Sequence, residues 1–146
     1  MFSLAVDEHH GVCLLRFSGP TNSAADWSAF LDFLSNPRTL ELSEHPSATV
    51  IQLVDRGNPP PDASLRRKIG ELAAKFPPHL LFIFATESSL VRGSLTAVLW
   101  LFPRDFPTRV CRNYLEAMAI ATEERGFRKE ALERLLNATR PAGAPG

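Results

Sequence analysis

Two cysteines in 146 residues, Cys13 and Cys111, are too few for a disulfide framework. Each lies in an apolar run and is expected to pack as a small buried hydrophobe. Lysine is nearly as scarce, with three against thirteen arginines, and sixteen basic residues balance sixteen acidic ones. Zero net charge argues against the strongly basic face of a nucleic-acid binder. The longest strongly apolar runs are Leu80 to Ala85 and Leu95 to Phe102. Both fall far short of the roughly 18 residues that span a bilayer. The first residues, MFSLAVDEHHG, lack the basic-then-apolar order of a signal peptide. A cytoplasmic protein is expected.

Motifs of common chemistries are missing too. There is no Gly-x-Ser-x-Gly, no Walker-type loop and no dinucleotide fingerprint. His9, His10, His45 and His79 do not have the spacing of a zinc site and are expected at the surface. No cofactor, no metal and no catalytic residue is therefore predicted. What is present is an ordinary globular composition, 45% hydrophobic and 22% charged. That suits one domain over residues 1–140, followed by a disordered tail of Pro, Ala and Gly at 141–146.

Periodicity divides the chain into strands and helices. Phe2 to Asp7 alternates as a strand, Glu8 to Gly11 turns, and Val12 to Ser18 is a second strand, giving an antiparallel hairpin. Ser23 with Asp26 forms a helix start, and Trp27, Phe30, Leu31 and Leu34 line one helical face. Asn36-Pro37 stops it, and Arg38 to Ser47 reads as a connector with one helical turn at most. Ala48 to Asp55 and Leu80 to Thr86 are short, apolar and β-branched or aromatic, as buried strands are. Between them Asp62 caps a helix with Leu65, Ile69, Leu72, Ala73 and Phe76 inward. Ser88 or Ser89 caps the next, with Val91, Leu95, Val98, Leu99 and Phe102 inward and Pro103 at its end. Trp27 and Trp100 fall on or beside the apolar stripes and are expected to pack in the core; the alternative for Trp100, one step off its stripe, is a helix edge open to a partner. Thr108 to Arg112 is a short last strand. Asn113 caps a helix with Leu115, Met118, Ala119 and Thr122 inward, and helix resumes from Phe127 to Ala138 after Gly126. The fold class is thus α/β: a mixed sheet of about five strands, hairpin first and parallel βαβ units after, covered by about four helices.

In such sheets ligands and partners meet the carboxyl ends of the parallel strands. The candidate residues there are Asp55, Arg56, Asn58 and Asp62 after one strand, and Ser88, Ser89 and Arg92 after the next. Arg112 and Asn113 follow the last. Two serines and an arginine at a helix start offer donors to an anion, or else merely cap the helix. Asp55 at a strand end is a possible base, metal ligand or contact residue, or else satisfies loop N–H groups. The last helix mixes charges with Leu132, Leu135 and Leu136. It is either a solvated face or a homodimer contact.

The hairpin, the alternating strands and helices, and the polar loop after Asp55 resemble the STAS/SpoIIAA-like domains, which include anti-sigma-factor antagonists. The run LVRGSLTAVLWL, followed by FPTRV and YLEAMAIA, is similar to small STAS/SEC14-type bacterial proteins of myxobacterial type. The likeness extends over about residues 2 to 125. In the antagonists an Asp-ended strand runs into a phosphorylated serine segment. Here Asp55 matches, but Arg56-Gly57-Asn58-Pro59 stands in place of the serines, so no phosphorylation site is carried over. The resemblance implies a non-enzymatic signalling module with a protein partner. The alternative is a small-molecule or anion-binding domain using the same strand ends.

Overall fold

A computed structural model describes residues 1–101 and 105–141, and their side chains except those of 37, 38, 40 and 99–101. Five strands form one mixed sheet in the order in which they occur along the chain. β1 (Phe2–Asp7) pairs antiparallel with β2 (Val12–Phe17). β2, β3 (Thr49–Val54), β4 (Leu81–Thr86) and β5 (Thr108–Cys111) are mutually parallel. The hairpin and the parallel units are as the sequence predicts. Gly11 closes the hairpin at φ 73°, and a Cβ there would stand 2.5 Å from the His45 ring. His45 is half-buried. Its Nδ1 accepts from the Ser47 N–H, so Nε2 carries the proton and donates to the His9 carbonyl at 3.0 Å.

Six helices are described: α1 (Ala24–Ser35), α2 (Pro37–Ser43), α3 (Ala63–Ala73), α4 (Ser89–Leu101), α5 (Tyr114–Arg125) and α6 (Lys129–Ala138). α1 starts with a full capping box, Ser23 and Asp26 each bonding the other's backbone N–H. Asp26 also accepts the Phe2 N–H at 2.9 Å, fastening α1 to the edge strand. These N–H donors hold its carboxyl below the usual carboxylate range. The expected connector after α1 is a two-turn helix instead. Pro37 ends nothing further on; it opens α2, where a missing N–H costs no hydrogen bond.

Strand alternation splits the core in two. Val12, Leu14, Ile51, Leu53, Leu81 and Ile83 face α5 and α6. Cys13, Leu15, Phe17, Val50, Val54 and Phe84 face α1 to α4. The inward stripe of α5 is one residue away from the expected one. Tyr114, Ala117, Met118 and Ala121 are buried, while Leu115 is 67% exposed. The Tyr114 hydroxyl donates to the Leu132 carbonyl at 2.6 Å, and that bond with two small alanines sets the rotation. Gly126 ends α5 at φ 73°, and Phe127 is buried before α6 begins. Ala131, Leu132 and Leu135, the apolar side of α6, pack on the chain's own sheet. The expectations for Trp100, Leu99, Phe102 and Pro103, and for the tail at 142–146, lie outside the described residues or side chains.

Candidate functional site at the strand ends

The parallel register puts the ends of β3 and β4 side by side, Val54 opposite Thr86. The loops that follow are therefore neighbours, as the sequence reading requires. Asp55 does not point into the space between them. Its carboxylate takes Nε and Nη2 of Arg16 at 3.1 and 3.0 Å, a bidentate pair between the ends of β2 and β3. Alternation places Arg16 beyond Leu14, on the α5 and α6 side. A planar guanidinium on a carboxylate fixes both side chains. Arg16 is a residue that the sequence reading missed. Its signal was a lone charge in the apolar run VCLLRF.

Asn58 is 3% exposed and fully engaged. Its Nδ2 donates to the Gly19 carbonyl at 3.0 Å and to Asn22 Oδ1 at 2.8 Å, and Asn22 Nδ2 donates back to Asn58 Oδ1 at 2.9 Å. The reciprocal amides tie the loop after β2 to the loop after β3. A buried amide bonded on both ends is a structural latch. Asn22 also escaped the sequence reading, because the contact spans 36 residues.

The remaining candidates are mostly helix starts. Asp62 caps α3 by accepting the Leu65 N–H at 2.9 Å. Ser88 Oγ accepts the Val91 N–H at 3.2 Å, and Thr86 Oγ1 accepts the Ser88 N–H. Arg92 folds back and donates to the Thr86 carbonyl at 2.9 Å. Ser89 is exposed in the first turn of α4. The donors that would cradle an anion are thus largely occupied with the turn itself. Arg56 differs: it is exposed at the head of the loop and has no hydrogen bond or ion pair among the described residues. The third strand end leads elsewhere. Asn113 caps α5, and α5 packs on the opposite face.

Behind the two loops lies a cavity of about 60 Å³, roofed by Pro59, Pro60 and Pro61. Phe17, Trp27, Phe30, Phe84, Val91 and Leu95 supply most of its wall. Gln52 reaches it from the middle of β3, and Ser94 from α4. The sequence reading singled out neither. Gln52 was visible as one polar letter inside ATVIQLVD.

Among the described residues no cluster of three or more His, Cys, Asp or Glu side chains is placed to hold a metal. No described helix is long and apolar enough to cross a membrane. Comparisons with family models, curated proteins and solved structures return no match.

Proposed function

We propose that the chain is a regulatory protein-interaction module of the STAS-like type, working in the cytoplasm without chemistry of its own. Its contact surface is the rim made by the Asp55–Asp62 loop and the Ser88–Arg92 helix start. The observation that carries this reading is the bracing of the loop. Arg16 holds Asp55, Asn22 holds Asn58, and Arg56 between them is left exposed. A loop already fixed loses little conformational entropy on docking, and an exposed arginine on it can anchor a partner. Two unpaired thiols, Cys13 and Cys111, suit a reducing compartment.

The test is an Arg56→Glu variant used as bait beside the unaltered protein in cells of the source organism. A partner enriched by the unaltered chain should be lost, with the melting temperature unchanged. Equal recovery of that partner by the variant rejects the rim as the contact. Arg92 stays unaltered, because its guanidinium holds the Thr86 carbonyl. The anion-binding alternative predicts stabilisation by phosphate or phosphorylated metabolites in a thermal-shift screen. Its weakness is that Ser88 and Arg92 already spend their donors and acceptors locally.

A further inference from the structure

β3 is flanked on both sides by paired strands, and its residues facing α1 to α4 are Val50, Gln52 and Val54. The two valines are buried in an aromatic and aliphatic core. Gln52 stands between them with an amide that can make four hydrogen bonds, and it makes none among the described residues. Across the cavity, Ser94 Oγ is buried and also has no partner. This is unusual for a hydroxyl inside a helix, which commonly bonds the carbonyl four residues back. Thr96 in the same helix does so, to the Arg92 carbonyl at 3.0 Å, and Ser35 does so to Leu31. A buried polar group without a partner is costly, so the buried Ser94 hydroxyl, with the half-buried and unpaired Gln52 amide lining the same apolar space, points to something that fills it.

We propose that this cavity is a binding site for a small uncharged molecule with an apolar body and one carbonyl, amide or hydroxyl group. The polar group would meet Gln52 and Ser94, and the body would lie among Phe17, Trp27 and Leu95. Charge is excluded on the ligand because no charged side chain lines the cavity to compensate it. Size limits the ligand as well. A cavity of about 150 Å³ takes up benzene, so about 60 Å³ suits a body of only a few carbon atoms. The proposal stands apart from the rim reading, since Arg56 does not line the cavity.

Propanamide and 1-propanol are the probes, with propanoate and propylammonium as charged counterparts. Each is titrated into the full chain to about 10 mM, tenfold above a millimolar dissociation constant. The Gln52 side-chain amide and the Trp27 indole are followed by proton–nitrogen correlation spectra. The neutral probes should move both signals saturably, and the charged ones should leave them in place. Ser94→Ala, and separately Gln52→Leu, should lower the affinity for propanamide at least tenfold. Ser94→Ala deletes only the hydroxyl, so it carries the test if the strand variant does not fold. Absence of a saturable shift with either neutral probe overturns the proposal. Equal response to the charged probes does so too, as does a soaked crystal with ordered water only between Gln52 and Ser94. None of these outcomes bears on capture through Arg56.

Discussion

The two faces of the sheet are built differently. On the α5 and α6 face, Val12, Leu14, Ile51, Ile83 and Ala85 meet Ala117, Ala121 and Leu132, all without solvent exposure. Small and aliphatic side chains let the helices approach closely, and the buried hydroxyl of Tyr114 is satisfied. The α1 to α4 face is aromatic. Phe2, Phe17, Trp27 and Phe30 stack edge and face at centroid separations of 4.9–6.4 Å. Rigid rings fill an irregular space less completely, and beside them Gln52 and Ser94 remain unpaired. Close packing on one face supplies stability. The other face gives up part of that and keeps a cavity. Both strand-end loops of the candidate rim border this looser face.

The largest expected contrast comes from truncating one residue on each side. Ile51→Ala removes a fully buried side chain in the closed face and should cost about 2–5 kcal/mol in chemical denaturation. Leu95→Ala removes a half-buried side chain beside an existing cavity and should cost about 1 kcal/mol. Equal costs would erase the distinction between the faces. A smaller contrast, in sign, comes from polar groups. Tyr114→Phe leaves the Leu132 carbonyl one donor short in a buried site, a loss of about 1 kcal/mol. Ser94→Ala deletes a hydroxyl that has no partner, and stability should stay level or rise. A clear loss from Ser94→Ala would mean that the hydroxyl is bonded after all.

The sheet was readable in the sequence because its signals are local. Short β-branched strands, prolines between elements and Ser or Asp caps each specify their own neighbourhood, and the cap residues Ser23, Asp62, Ser88 and Asn113 are where the pattern puts them. The α5 stripe was misread because Leu115 is the largest apolar residue nearby, while burial went to Tyr114 and two alanines through a bond to α6. The site was less legible for a related reason. Arg16 with Asp55, and Asn22 with Asn58, are partners 39 and 36 residues apart, and no local spacing links them. Gln52 could have been noticed as a polar residue in a buried strand. That Ser94 faces it depends on how α4 lies over the sheet.

The two thiols sharpen the comparison at its smallest effect, since each face holds one. Cys13 lies in the aromatic face and Cys111 at the edge of the closed one. Burial pushes the Cys13 thiol up to about 12. Burial, with the Glu116 carboxylate adding to it, pushes Cys111 up to about 11. A thiol whose folded value is raised stays protonated where the unfolded one, near about 8.5, ionises. Stability from both is therefore intact below about pH 8.5 and is lost as pH rises toward 11 and 12. Because the thiolate is the nucleophile, neither cysteine should react with an aromatic disulfide reagent at pH 8 on the time scale of a free thiol. The order of the slow reactions discriminates between two kinds of looseness. If the cavity is a local gap at the strand ends, Cys111 on the edge strand reacts first, and Cys13 only on global unfolding. If the whole aromatic face opens as a unit, Cys13 overtakes it. The first order is expected, because Cys13 sits at the opposite end of β2 from Phe17, where the cavity begins.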